Sequence, residues 1–183
     1  MNKNQHWYVL TGGPSAGKTG TLKRIAQRGY KTVPEPARVL IDNEMEKGLE
    51  LAQIRSDEVA FEYRCIELKQ QMDAECKPEE VVFFDRGMPD VLAYLRSLGD
   101  KPNEVHHKIL TQSPYAKVFI LEMGEFQTDY ARTETAEQAM EIQAELEKVY
   151  VELGYQPVHV PWMDTPEIRA DYVLSLLPDL PKP

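Results

Sequence analysis

Residues 10–20 read LTGGPSAGKTG and continue directly from the apolar run WYVL at residues 7–10. Glycine weakens both strands and helices, because its backbone loses more conformational freedom on ordering than that of any other residue. Four glycines among these eleven positions therefore predict a loop whose backbone lies close against a ligand.

The loop has the spacing G-x-x-x-x-G-K-[ST], which is typical of a phosphate-binding loop between a strand and a helix. The fixed letters of this motif fall on Gly12, Gly17, Lys18 and Thr19. The run at 7–10 predicts the preceding strand, and apolar residues at helical spacing in 21–28 predict the following helix. An ordinary glycine-rich turn is the alternative, and the strand, loop and helix in this order disfavour it.

Each part of such a loop has an expected role. Its backbone N–H groups and the dipole of the following helix would surround the β-phosphate of a nucleotide. Lys18, expected as an exposed loop side chain, would bridge β- and γ-phosphate oxygens, and Thr19 would hold Mg²⁺. The predicted nucleotide-binding residues are Gly12, Gly13, Pro14, Ser15, Ala16, Gly17, Lys18, Thr19 and Gly20.

The composition of the chain limits its partners. Its 183 residues are 42% hydrophobic, which predicts a single domain over 1–183 with a core large enough to fold alone. The net charge of −9 disfavours nucleic acid and anionic membranes, because both require a basic face. No apolar run approaches the roughly 20 residues of a membrane span, and the start MNKNQHW has no secretory apolar region. We therefore expect a cytoplasmic protein with a flexible tail at 178–183 and an oligomeric state that stays open.

Five apolar segments alternate with helical segments along the chain. Strands are predicted at 7–10, 31–36, 80–87, 116–123 and 156–161. Thr135 and Gln138 form a capping box that opens a long helix, and a last helix begins at Pro166. The apolar stripe expected on this last helix is Ile168, Tyr172 and Leu176. The alternation indicates an α/β fold with a parallel sheet covered on both faces and a ligand at the carboxyl ends of the strands.

Two strand ends besides the phosphate loop carry charged residues. Asp85 and Arg86 follow the apolar run VVFF, and an acid at this point is expected to orient Mg²⁺ directly or through water. Glu35 lies between two prolines after the second strand, where a carboxylate could accept the proton of an attacking hydroxyl group. The alternatives are a turn-capping role for Asp85 and a solvated loop position for Glu35.

The phosphate loop, PEPAR at 34–38, FDRG at 84–87 and RTE at 132–134 before a long helix together resemble a known family. The chain looks like the small P-loop kinases and AAA-type kinase-like ATPases that include nicotinamide riboside kinase, and its layout is similar to that of deoxynucleoside kinases. The resemblance covers essentially the whole chain. It implies a three-layer P-loop NTPase fold with sheet order 2-3-1-4-5 and a mobile lid at about 124–136. It also implies transfer of the γ-phosphoryl group of ATP, bound with Mg²⁺, to a small hydroxyl-bearing acceptor.

The resemblance assigns roles by position. Lys18 and Thr19 would bind phosphate and metal, Asp85 would assist the metal or the acceptor, and Arg86 would hold acceptor or phosphate. Glu35 would be the base and Arg132 the lid arginine. The expected catalytic residues are thus Lys18, Glu35, Asp85, Arg86 and Arg132, and the expected metal ligands are Thr19 and Asp85. Deoxynucleoside kinases carry several lid arginines, whereas residues 124–136 contain only one.

Six further side chains are candidates for a pocket, with packing or surface roles as alternatives: Arg38, Arg55, Arg64, Asp90, Tyr94 and Trp162. Two functions of different classes stay open, a small-molecule kinase and an ATP-dependent switch module with slow ATPase activity. A guanine-specific GTPase is disfavoured, because the chain lacks N-K-x-D after the phosphate loop and D-x-x-G at the strand that ends at Asp85. A kinase requires Glu35 with Arg86, and a switch does not.

Overall fold

The computed structural model describes residues 6–124 and 135–183. Most of the predicted lid, including Arg132, therefore lies outside the described residues. The described strands are β1 (Trp7–Thr11), β2 (Lys31–Val33), β3 (Val82–Asp85), β4 (Lys117–Leu121) and β5 (Val158–Val160). They form one parallel sheet in the order β2-β3-β1-β4-β5, which confirms the predicted topology.

Helices connect these strands within the described part of the chain. They are α1 (Lys18–Gln27), α2 (Pro36–Glu46), α3 (Leu51–Ile54), α4 (Glu58–Ala74), α5 (Met88–Ser97), α6 (Glu104–Thr111), α7 (Ala136–Glu152) and α8 (Pro166–Ser175). The predicted capping box at the start of α7 is present, with Thr135 and Gln138 each accepting a backbone N–H from the other. The short α3 has no counterpart in the sequence-based prediction. In this part of the chain, no helix has both the length and the apolar character that a membrane crossing requires.

Successive strand residues point to opposite faces of the sheet, which gives the fold its three layers. In β1, Tyr8 and Leu10 pack into a buried cluster with residues of α1 and α8. Trp7 and Val9 pack on the other face, in a cluster that includes Tyr150 of α7. Because helices cover both faces, the central strands β1, β3 and β4 are apolar except at their ends, whereas the edge strands β2 and β5 carry the exposed Lys31 and His159.

The predicted apolar stripe of α8 is confirmed for Tyr172 and Leu176, which pack against the core, and is wrong for Ile168. Ile168 is 52% exposed, whereas Ala170 and Val173 are buried against the core that α1 also joins. The buried side of the helix also carries Arg169, whose guanidinium group binds three backbone carbonyls at the end of the sheet. These polar contacts and the close approach that alanine allows fix the rotation of α8 about its own axis. This rotation leaves Ile168 on the exposed side.

The sheet order brings the three charged strand ends together. β2, β3 and β1 are neighbours in the sheet, and they lead into Glu35, Arg86 and the glycine-rich loop respectively. Carboxyl ends of parallel strands meet at one edge of the sheet, where ligands of such folds bind. This edge of the sheet therefore carries the candidate functional site.

Candidate active site

The glycine-rich stretch joins β1 to α1, and its backbone repeatedly adopts positive φ angles. The φ angle is +136° at Gly12, +66° at Ser15 and +75° at Gly17. A Cβ atom at Gly12 would lie 2.5 Å from the carbonyl oxygen of Leu121, so contact as well as conformation requires glycine there. Turns of this kind direct successive backbone N–H groups into one concavity, which binds anions.

Lys18 is buried beneath this loop, and the expectation of an exposed side chain is wrong. Its Nζ atom donates hydrogen bonds to the carbonyl oxygens of Gly12 at 2.8 Å and Gly13 at 2.9 Å. Burial, together with the positive charge of Arg86, lowers the pKa of Lys18 to about 8. The loop backbone thus holds the Lys18 ammonium group inside the concavity that its own N–H groups form. An anion bound there would raise the pKa of Lys18 towards its ordinary value.

Thr19 and Asp85 lie beside each other at the start of α1 and the end of β3. Thr19 Oγ1 donates a hydrogen bond of 2.8 Å to Asp85 Oδ2. The other carboxylate oxygen of Asp85 is buried without a hydrogen-bond partner in residues 6–124 and 135–183. Burial and the negative charge of Glu35 raise the pKa of Asp85 to about 6. A hydroxyl group and an unsatisfied carboxylate oxygen are the hard ligands that Mg²⁺ prefers, so these residues fit that ion.

Arg86 forms an ion pair with Glu35 next to the loop. Its Nε atom donates to Glu35 Oε1 at 2.6 Å, and its Nη2 atom donates to the Tyr94 hydroxyl at 2.9 Å. Although burial alone would raise it, the charges of Arg86 and Lys18 lower the pKa of Glu35 to about 2. Glu35 is therefore an ionised carboxylate that faces the same pocket as Lys18.

Asp90 connects Arg86 to the core. Its carboxylate accepts hydrogen bonds from four donors: Thr11 Oγ1, Arg86 Nη1, the Gly87 backbone N–H and the Tyr150 hydroxyl. Asp90 thus combines the two roles that the sequence left as alternatives, because it caps α5 and also holds a pocket residue. Its side chain is only 1% exposed, so the network is shielded from water.

Two residues that sequence reasoning missed bind the phosphate loop from behind. Arg169 of α8 donates to the carbonyl oxygens of Ala16 at 2.6 Å, Glu122 at 2.7 Å and Val160 at 3.0 Å. Burial lowers the pKa of Arg169 to about 10. Gln143 of α7 accepts a hydrogen bond from the Gly13 N–H through Oε1. Neither has a local sequence signal, because each acts across more than a hundred residues of chain.

A pocket of about 690 Å³ opens in front of the loop, within the range of about 300 to 1,000 Å³ that is usual for small-molecule sites. The structure brings four of the six further candidates to its lining, namely Arg38, Arg55, Asp90 and Tyr94. Arg64 instead lies on the surface, 2.7 Å from Glu44. Trp162 is half exposed, with its ring centroid 5.3 Å from the guanidinium carbon of Arg169.

Replacing Arg169 with methionine is expected to lower the free energy of unfolding by about 2 to 3 kcal/mol, because three buried carbonyl oxygens lose their donor. Urea denaturation measures this change. Arg64→Met is the matched control, since this exposed ion pair is worth less than about 1 kcal/mol. Equal losses in the two variants would show that Arg169 does not hold the loop.

The loop between β1 and α1, the acid at the end of β3 and the 2-3-1-4-5 sheet define a P-loop nucleotide-binding protein with the fold of the small kinases. Residues 7–167 match an AAA domain family, and the chain belongs to that family. The chain matches no curated protein sequence.

Solved structures with similar folds are P-loop kinases. A NadR protein in complex with NR superposes with a TM-score of 0.69 at 15% identity, covering 96% of this chain and 50% of that chain. Shikimate kinase from Acinetobacter baumannii in complex with shikimate has a TM-score of 0.61 at 16% identity. The match covers 96% of this chain and 94% of that chain. Deoxyadenosine kinase from M. mycoides, with products dCMP and a flexible dCDP bound, has a TM-score of 0.65 at 12% identity. The match covers 94% of this chain and 98% of that chain. The chain spans about half the length of the NadR chain. At these identities the similarity establishes the fold alone.

Proposed function

We propose that the protein is a small-molecule kinase that transfers the γ-phosphoryl group of ATP to a hydroxyl group of a nucleoside-like or other small acceptor. The observation that carries this proposal is the ionised Glu35, held by Arg86 at 2.6 Å in the pocket that Lys18 also lines. A carboxylate in this position can orient an acceptor hydroxyl group and take its proton. A switch module that only hydrolyses ATP needs no such group.

The other residues supply binding and positioning. Loop N–H groups and Lys18 would bind the phosphates, and Thr19 and Asp85 would hold Mg²⁺. When bound, Mg²⁺ would neutralise charge on the β- and γ-phosphate oxygens. Arg86 keeps Glu35 ionised and oriented. Arg132 is proposed as the lid arginine that adds positive charge at the transferring phosphate.

A thermal-shift screen with Mg·ADP and a panel of nucleosides and other hydroxyl compounds tests the proposal. A compound at 100 times its dissociation constant stabilises the folded state by about 2.7 kcal/mol, which is readily seen as a higher melting temperature. Compounds that bind are then tested for stimulation of ADP release from ATP. A kinase requires at least one such acceptor, and a panel without stimulation would favour the switch module.

Replacing Lys18 with alanine is expected to weaken ATP binding by about 10- to 100-fold, which corresponds to the loss of a charged hydrogen bond worth about 1.5 to 3 kcal/mol. The protein should stay folded, because the Nζ atom contacts loop carbonyls rather than the core. Calorimetric titration measures the affinity, with the exposed Lys47→Ala as control. Unchanged ATP affinity in the Lys18 variant would remove the basis of the nucleotide site.

A further inference from the structure

One wall of the pocket carries a buried carboxyl group that the proposed chemistry does not use. Glu62 lies on α4, is 5% exposed and lines the same pocket as Glu35 and Arg86. Among residues 6–124 and 135–183, no hydrogen bond or ion pair holds its side chain, and its carboxyl oxygens remain accessible from the pocket. More than about 90% of buried polar groups in native proteins are paired. The missing partner of Glu62 is therefore expected to come from a ligand.

The charged neighbours of Glu62 are committed elsewhere. Arg55 binds Glu58 through its Nε atom at 2.9 Å and 3.1 Å, and Arg86 binds Glu35 and Asp90. Burial raises the pKa of Glu62 to about 8. The positive charges of Arg55 and Arg86 act to lower this pKa, and the negative charges of Glu58 and Glu35 act to raise it. The charges of Arg55 and Arg86 thus offset only part of the cost of removing this carboxyl group from water.

Two side chains next to Glu62 on α4 are buried and uncharged. Phe61 and Cys65 flank it, and each is 1% exposed. Burial raises the pKa of the Cys65 thiol, so this pocket-lining side chain adds no charge. The Asp57 side chain accepts a hydrogen bond from the Ala60 N–H and fixes the start of α4. On the pocket-lining part of α4, a ligand group therefore meets the carboxyl group of Glu62 beside the uncharged Cys65 side chain.

Both protonation states of Glu62 demand the same kind of partner. An ionised carboxylate only accepts hydrogen bonds, and a neutral carboxylic acid donates through its O–H but still accepts at its carbonyl oxygen. A partner with an N–H group satisfies the accepting oxygen in either state. An amide or an amino-substituted ring also offers an acceptor atom beside its N–H, which would pair with the O–H of the neutral acid.

We propose that Glu62 selects the phosphoryl acceptor, and that this acceptor carries an amide or ring-amino N–H group in addition to the hydroxyl group that Glu35 faces. The proposal rests on the proposed kinase function. Glu62 is a specificity residue in this scheme and takes no part in the transfer itself. A compound with a ring but no N–H group would leave the buried carboxyl group unpaired, which lowers its affinity.

Three variants separate recognition from folding. Glu62→Met keeps the approximate volume and removes every polar atom, and it should remain folded because methionine carries no cost of burying an unpaired polar group. Glu62→Gln keeps a carbonyl oxygen and places an N–H group where the acid has its O–H. Glu67→Met is the control, because Glu67 lies on the exposed side of the same helix.

The test compares ligands that differ by one amino group. The probes are adenosine against purine riboside, titrated by calorimetry with saturating Mg·ADP, and 2-aminopyridine against pyridine, followed by ligand-observed NMR. We expect the parent, Glu62→Gln and Glu67→Met to prefer the amino compound by about 10- to 100-fold. The preference should fall to about 1 in Glu62→Met, which should remain folded. An undiminished preference in Glu62→Met would overturn the proposal.

Failure of this proposal can be distinguished from failure of the kinase function. A preference that depends on Glu62, without acceptor-stimulated ADP release, would support the recognition site and contradict the kinase function. Equal stimulation by adenosine and purine riboside would contradict the role of Glu62 and leave the kinase function intact. If neither amino compound binds the parent protein, the proposed recognition by Glu62 is wrong.

Discussion

Replacing Glu35 with glutamine is expected to slow acceptor-dependent turnover by about 10²- to 10⁴-fold, which is the usual contribution of a general base. Glutamine preserves the shape of the side chain and can still accept a hydrogen bond from Arg86, but it cannot take up a proton. Mg·ATP binding should change little, because the proposed phosphate contacts come from the loop N–H groups and Lys18, and glutamine can still hold Arg86 against the Gly12 carbonyl. Background ATP hydrolysis should persist for the same reason.

ADP release with and without acceptor, in the parent and the variant, measures this effect. Glu46→Gln provides the control, since Glu46 is exposed at the end of α2, the helix that follows Glu35. A Glu35 variant with full acceptor-dependent turnover would contradict the assignment of the base. A switch module makes a different prediction, because it has no acceptor-dependent turnover for the substitution to remove.

The pH dependence of stability offers a separate check on the Glu35–Arg86 pair. The charges of Arg86 and Lys18 lower the pKa of Glu35 from its ordinary 4.5 to about 2. A carboxyl group whose pKa is lower in the folded state stabilises that state fully at pH values above its ordinary pKa. This contribution is lost as the pH falls from the ordinary pKa towards the lowered pKa. The parent and Glu35→Gln should therefore differ in unfolding free energy at neutral pH and converge as the pH falls towards about 2.

The sequence was sufficient for the parts of the fold that local patterns encode. The glycine spacing places the phosphate loop, and the alternation of apolar strands with helices predicts a parallel sheet. The resemblance implied the strand order, which the structure confirms. The sequence also places Asp85 at the carboxyl end of an apolar strand, and Asp85 is the last residue of β3. These predictions depend on residues that are close together in the chain.

The polar contacts that support the site could not be predicted in the same way. The partners of Asp90 include Thr11, 79 positions away, and Tyr150, 60 positions away. Charged residues are rarely fully buried unless they are paired, so hydropathy assigns Glu62 and Arg169 to the surface. Arg169 also accounts for the exposure of Ile168, because its three carbonyl partners lie on other elements of the fold and orient this side of α8 inwards. A single sequence does not reveal such partners.

Replacing Asp90 with alanine is expected to lower the free energy of unfolding by about 3 to 5 kcal/mol, the usual cost of removing one partner from a buried ion pair. The substitution removes the acceptor of four donors at once. The buried guanidinium group of Arg86 loses one of its two carboxylate partners, and the hydroxyl groups of Thr11 and Tyr150 lose their acceptor. Arg86 would then be less well fixed, so acceptor-dependent turnover should fall as well.

Urea denaturation of Asp90→Ala and Asp90→Asn separates charge from shape. Thr11 and Tyr150 donate to different carboxylate oxygens, so asparagine keeps an acceptor for only one of the two hydroxyl groups and carries no negative charge for Arg86. Its loss of stability should therefore lie between those of the parent and the alanine variant. Asp171→Ala is the surface control, because that side chain is 65% exposed and its ion pair with Arg28 is worth less than about 1 kcal/mol. If Asp90→Ala is no less stable than Asp171→Ala, the buried network does not hold Arg86 in place, and the position of Arg86 must depend on Glu35 and Tyr94 instead.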